Sequence, residues 1–293
     1  MGTHGEGEAH TMTEATEDRI TRGMLPEISG QNPAGQQPDD FRIYLQADRD
    51  TEAIPRSGGL TRIDGIVMQP RQRIRPARET MLALEWLDPR LVAFHDLNPQ
   101  THAPYNRLAI SLISGAASRN LQRVLITSAQ YGEGRTSVTL NLAAALARAR
   151  QRVLVVDTDL VRPSALRLLG IDAETGLAEA ITKGLPVGQA LIRLQPVGFN
   201  LLPSRAQVEN SAELLSSPVF EAMIQVLMPD YDFILFDSAP LLAVADASLL
   251  ELRTDATLIV IRPGYISTSQ MARAVATLDE KRLFGAVLNC VVT

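Results

Sequence analysis

Cys290 is the only cysteine among 293 residues, so neither a disulfide framework nor a cysteine-based zinc site can be built within one chain. A reducing cytoplasm is therefore the expected setting. Lysine is nearly as scarce, with Lys183 and Lys281 set against 26 arginines in a total of 28 basic residues. A basic excess is missing too: the net charge is −5 and the pI about 5.5, which argues against wholesale nucleic-acid binding. No apolar run approaches the roughly 18 residues of a membrane span. The acidic start lacks the basic and apolar regions of a secretory signal, so no export is expected. No internal repeat is found. What is present is 45% hydrophobic content, enough for one sizeable core and a small appendage.

The first 60 or so residues are rich in Gly, Glu, Thr, Pro and Gln, and residues 1–86 read as a largely disordered tail. Within it, 69–78 runs Gln-Pro-Arg-Gln-Arg-Ile-Arg-Pro-Ala-Arg, four arginines in ten residues with no acid. Its plain reading is a solvated linker; its sharper reading is a contact with an anionic membrane or an acidic partner. From Arg123 onward short apolar strands are expected at 123–127, 152–156, 199–202, 233–236, 256–261 and 284–289. Helical stretches at 138–149, 212–227 and 268–281 fall between them. The strands are continuous apolar runs, the mark of burial on both faces. They predict an α/β fold over 87–293, a mostly parallel sheet with helices on both faces.

Residues 128–137 read Ser-Ala-Gln-Tyr-Gly-Glu-Gly-Arg-Thr-Ser. The segment sits between a strand and a helix, the context a phosphate-binding P-loop requires. Gly132 and Gly134 permit backbone angles at which successive N–H groups, with those of Glu133, Arg135, Thr136 and Ser137, turn towards one anion. The Thr136 hydroxyl is placed to reach a phosphate-bound Mg²⁺. Two further strands end in carboxylates: Arg152-Val-Leu-Val-Val-Asp157-Thr-Asp159 and Tyr231-Asp-Phe-Ile-Leu-Phe-Asp237. Any one of these acids reads as a turn former, but three at the ends of apolar strands behind a glycine loop read as a ligand site outside the carboxyl ends of the sheet.

The loop, the Asp-x-Asp-x-x-Arg-Pro segment from Asp157 to Pro163, the Asn210-Ser-Ala-Glu213-Leu-Leu215 segment and the Asp237 strand resemble the bacterial tyrosine kinases of capsule and exopolysaccharide synthesis. These kinases are relatives of the MinD/ParA ATPases. The resemblance runs from about Leu87 to the last residue. It implies ATP and Mg²⁺ as cofactors, with Thr136, Asp157, Asp159 and Asp237 at the metal. It also implies catalytic roles for Asp157, Asp159, Asp237 and Arg135, with Asp157 or Asp159 accepting the proton of a tyrosine hydroxyl. Asn289 corresponds to the asparagine set against adenine, and a strand-end turn is its alternative reading. The implied partner is a membrane-embedded polysaccharide co-polymerase or chain-length activator that recruits the chain to the inner face of the membrane.

Three features depart from that family. Arg135 stands where the loop lysine is expected, and a planar fork on a longer stem does not fill the same space as an ammonium. Loss of one well-placed transition-state contact costs roughly 10² to 10³ in rate, whereas the backbone N–H groups remain, so binding is expected to survive better than turnover. A general drift from Lys to Arg explains the same substitution. The Glu-x-x-Arg-x-x-Arg of the ring-forming helix is replaced by Ala103, Asn106 and Ala109, and the chain stops at Thr293 without a tyrosine cluster. Three readings follow: a tyrosine autokinase, an ATP-binding regulator or scaffold with little phosphotransfer, and a MinD/ParA-type positioning ATPase. The third lacks its extra loop lysine, since Ser128 to Gln130 stand there.

Overall fold

The computed structural model describes residues 41–45, 73–95 and 99–289. Nine strands form one sheet: β1 (Phe41–Leu45), β2 (Arg78–Met81), β3 (Arg123–Ser128), β4 (Val153–Asp157), β5 (Ile192–Gln195), β6 (Phe199–Leu202), β7 (Phe233–Asp237), β8 (Ala256–Ile261) and β9 (Leu283–Asn289). Their order across the sheet is β1-β9-β8-β3-β7-β4-β6-β5-β2. Only the β1/β9 and β5/β6 pairs are antiparallel.

The central strands alternate in a way their sequences hide. Val124 and Ile126 of β3, Val153 and Val155 of β4, and Phe233 and Leu235 of β7 enter one core. Leu125, Leu154, Val156, Ile234 and Phe236 enter the other. Each face needs its own apolar set, so every strand position is apolar and the run is continuous. On the first face lie α1 (Pro99–Arg119) and α2 (Arg135–Arg148), which bury Leu108, Leu112, Val138, Leu142 and Leu146, with α3 (Ala165–Leu169) beside them. On the second lie α4 (Leu177–Thr182), α5 (Ser211–Ser216), α6 (Pro218–Leu227) and α7 (Asp246–Glu251), contributing Leu177, Leu215, Phe220, Ile224 and Leu250. A smaller third cluster joins Ala274 of α8 (Thr268–Val275) to Ile259 and Ala286.

Several boundaries differ from the expectations. The helix expected from Val138 begins at Arg135, directly after Gly134. The single helix expected over 212–227 is two, because Ser217 is extended and caps α6 by accepting a bond from the Phe220 N–H. Pro218 has no N–H to continue the preceding helix and suits the first turn of the next. The helix expected to reach residue 281 ends at Val275. Strand β5 was not expected.

The stretch read as a tail supplies both sheet edges, β1 at one side and β2 at the other. Leu82, just after β2, is buried in the first core, so the sheet begins upstream of the boundary expected at residue 87. Of the arginine-rich run, 69–72 lie outside the described residues, while Ile74 N–H donates to Asp230 and Arg78 to the Asp172 carbonyl.

Candidate functional site

The carboxyl ends of β3, β4 and β7 lie side by side, with Ile126 opposite Asp237 and Asp237 opposite Asp157. The loop after β3 crosses these ends and turns into α2. Gly132 and Gly134 have φ of 90° and 89°, angles at which a side chain is strained. Asn289, at the end of β9, also crowds the place a Cβ on Gly134 would occupy, and its amide donates to the Glu133 carbonyl at 2.9 Å. The backbone N–H groups from Gly132 to Ser137 find no acceptor among the described residues. A row of unmet donors at the positive end of a helix is the chemistry of an anion site.

Glu133 is fully buried, and its carboxylate braces the loop. Oε1 accepts from Gln130 N–H at 2.7 Å and Oε2 from Arg262 N–H at 3.2 Å. Its offering to an anion is therefore its backbone N–H alone. Ser137 accepts at its carbonyl from Asn141, whose side chain also holds Ala93 N–H and the Arg90 carbonyl. That bond set fastens the segment before α1 to the helix that carries the loop.

Arg135 turns inward. Its Nε–H donates to the Ser238 carbonyl at 2.7 Å, one terminal nitrogen to Ser128 Oγ and the Gln130 carbonyl, and the other to Asp159 Oδ2 at 2.8 Å. The Arg135 and Asp159 side chains are 6% and 3% exposed, so this is a buried ion pair whose charges depend on each other. Asp159 spends its other oxygen on Arg162 N–H. Tyr131 lies between the two arginines, with guanidinium carbons 5.3 Å (Arg135) and 4.4 Å (Arg162) from its ring centre. Its hydroxyl is buried without a partner. Burial of the ring pushes the phenol pKa up; Asp159 adds to that, and the two arginines oppose it.

The three expected carboxylates thus part company. Asp157 accepts weakly from Asp159 N–H and Ala165 N–H, and burial, with Asp237 and Asp159 nearby, holds its pKa well above the carboxylate range. Asp237 accepts from Thr139 at one oxygen; the other is buried and makes no bond of ordinary length. Burial pushes its pKa up to about 6, against the steadying of Arg135 and the Thr136 hydroxyl. Thr136 in turn accepts from Ser164. Two carboxyls that resist ionisation beside a hydroxyl are a site short of positive charge. Among the described residues no three acidic, His or Cys side chains could hold a metal by themselves.

The structure therefore gathers Gly132, Glu133, Gly134, Arg135, Thr136, Ser137 and Asn289 around one loop, with Asp157, Asp159 and Asp237 below it. It adds Thr139, Ser164 and the Ser238 carbonyl, which sequence reasoning did not single out, and gives contacts to Ser128 and Arg162, which lie in the quoted motifs but were assigned no role. Thr139 had a legible signal, standing one helical turn after Arg135 on the same face; the others are brought in by the fold.

A glycine loop entering a helix at the carboxyl end of a parallel sheet, with acids ending the neighbouring strands, defines a P-loop nucleotide-binding protein. Residues 122–283 match the AAA domain family AAA_31. The tyrosine-protein kinase YwqD of Bacillus subtilis is 31% identical over 187 residues, covering 63% of this chain and 79% of that protein. The putative tyrosine-protein kinase AmsA of Erwinia amylovora is 34% identical over 140 residues, only 19% of its own length. The kinase domain of Escherichia coli Etk superposes with a TM-score of 0.65 at 25% identity, over 71% of this chain and 82% of that one. The VpsO kinase domain does so with a TM-score of 0.60 at 28% identity, over 66% and 96%. The chain belongs to the AAA domain family and, within the P-loop ATPases, to its bacterial tyrosine kinases.

Proposed function

We propose that this chain binds ATP along Gly132–Ser137 and transfers its γ-phosphoryl group to protein tyrosine, as the kinase arm of a polysaccharide-export system. The observation that carries the reading is the row of unmet N–H groups at the start of α2, facing a charge-starved pair of carboxylates. Mg²⁺ fits there through hard oxygens, Thr136 Oγ1 and the free oxygen of Asp237, and would supply the positive charge that lets the acids ionise and offsets that of the phosphates. Asp157 adds negative charge beneath that position. Asp157 is the better proton acceptor for an incoming tyrosine hydroxyl, since Asp159 is committed to Arg135 and burial keeps Asp157 basic.

Asn289 lies beside the loop, where an adenine edge would meet its amide once the bond to Glu133 exchanges. Among the described residues no helix is long and apolar enough to cross a membrane. On the family resemblance alone, we place the chain on the cytoplasmic face beside a membrane-embedded co-polymerase. No contact with nucleic acid enters the reading. One observation favours the weaker variant, a nucleotide-binding regulator: the Arg135 guanidinium is held by four protein acceptors and is not free to follow the γ-phosphate.

Titration with fluorescent ATP, with and without Mg²⁺, tests the premise. Saturable, Mg²⁺-dependent binding is expected in the micromolar range, about 7–8 kcal/mol. No saturation by about 1 mM nucleotide, weaker than about 4 kcal/mol, would defeat it. Labelling of a poly(Glu,Tyr) copolymer then separates kinase from regulator.

A further inference from the structure

The tyrosines are not equally available to a phosphoryl donor. Among those whose side chains are described, Tyr105 and Tyr231 are buried, Tyr131 has its hydroxyl in the interior, and Tyr265 is 47% exposed. Tyr265 sits in the turn between β8 and α8, where Gly264 takes φ of 72° and Tyr265 N–H closes onto the Arg262 carbonyl at 3.1 Å. That turn is docked on the loop after β3. Arg262 N–H donates to Glu133, its guanidinium lies 4.9 Å from the Tyr265 ring centre, and it reaches the Gly132 carbonyl at 3.5 Å. The Tyr265 hydroxyl presses against Gly132, so that a Cβ there would lie 2.5 Å from it.

We infer that Tyr265 is this chain's own phosphoryl acceptor and that its phosphorylation loosens the P-loop. The inference rests on the phosphotransfer reading above and names the substrate residue. In the step, a bond forms between Tyr265 Oη and the γ-phosphorus as the bond to the bridging β,γ oxygen breaks. ADP leaves, and the phenolic proton passes to the Asp157 carboxylate, the acceptor named above, and from there to solvent. The hydroxyl has no room for a phosphoryl group where it meets Gly132, so the modified side chain must swing away from the loop. Arg262, whose guanidinium lies over the ring, is placed to pair with the new dianion, and its guanidinium contact with the Gly132 carbonyl is the one that changes. Loss of that contact, departure of the hydroxyl from Gly132 and added negative charge beside an anion site act in one direction, towards weaker nucleotide binding.

The test incubates the full chain with Mg²⁺-ATP and poly(Glu,Tyr), maps phosphotyrosine by mass spectrometry, and then titrates fluorescent ADP. Expected are phosphate on Tyr265, loss of most self-labelling in Tyr265→Phe with copolymer labelling retained, and severalfold weaker ADP binding by the phosphorylated wild type. Copolymer labelling with Tyr265 unmodified, or undiminished self-labelling of Tyr265→Phe, overturns the inference alone. Absence of both labels overturns it together with the kinase reading.

Discussion

Arg135 is occupied before any nucleotide arrives, and that separates it from the lysine it replaces. An ammonium has three donors on a flexible stem and can leave one neighbour for another, whereas this guanidinium is locked in a fork among Ser238, Ser128, Gln130 and Asp159. Arg135→Lys is therefore expected to raise ATP hydrolysis about tenfold or more by restoring a mobile charge near the γ-phosphate. Tyrosine self-labelling should rise less, because Tyr265 must first leave Gly132. Coupled ADP release and phosphotyrosine blots measure the two, and equal rates for wild type and variant would show that the guanidinium already serves the transition state. Asp237 makes the opposite case, a residue kept at a cost. Its carboxyl titrates near pH 6 folded, against an ordinary 3.8, so the folded state holds the proton more tightly than the unfolded one. That contribution is present at low pH and is lost as pH rises from about 4 through 6. Asp237→Asn retains an acceptor for Thr139 and carries no charge to bury. Without Mg²⁺ the variant should match wild type near pH 4 and exceed its stability above pH 6, by about 1–3 kcal/mol at 1.36 kcal/mol per pKa unit. Urea melts at the two pH values check this, and the same variant should lose the Mg²⁺ dependence of nucleotide binding.

The loop between β3 and α2 works because two glycines bend it and Asn289 closes over it. Gly134→Ala would place a methyl at φ of 89° into the Asn289 amide. A loss of about 1–3 kcal/mol in stability is expected from the backbone strain alone, together with loss of saturable nucleotide binding. Thermal melts and fluorescent-ATP titration read the two effects separately, and an Ala variant that still binds would show that the αL geometry is dispensable. This loop was legible in the sequence because glycines, hydroxyl and flanking apolar runs are local signals, and the same holds for Asp157 and Asp237 at the ends of β4 and β7. The partners of Arg135 were not, since Asp159 and Ser238 stand 24 and 103 residues away and no local pattern announces a buried ion pair. The division of 212–227 into two helices was legible in principle, as Ser217-Pro218 is a cap followed by a helix-starting proline. It was overridden by apolar periodicity running through the break. Strand β5 stayed hidden because it alternates, with Ile192 and Leu194 inward and Arg193 and Gln195 half-buried, where continuous apolar runs were sought.

Both edges of the sheet come from the stretch 1–86 whose composition reads as tail, and composition averaged over that length cannot register strands of five and four residues. β1 pairs antiparallel with β9 from Phe41 opposite Asn289 to Leu45 opposite Gly285, so it covers the edge of the strand that ends in Asn289. β2 covers β5 at the far side. Uncovered edges carry unpaired N–H and C=O groups and invite association. Two truncations separate tail from fold. A chain starting at residue 41 keeps β1, and its melting temperature should stay within about 1–2 °C of the full chain, in keeping with a surface change of under about 0.5 kcal/mol. A chain starting at residue 61 loses β1, bares β9 and frees Asn289 from its neighbour in the sheet. It should melt several degrees lower, bind ATP more weakly through the loosened Asn289–Glu133 contact, and self-associate with rising concentration. Differential scanning calorimetry with analytical ultracentrifugation distinguishes the two. Equal melting temperatures and equal sedimentation for the two chains would show that β1 adds nothing to the fold, and that the edge of β9 is tolerated bare.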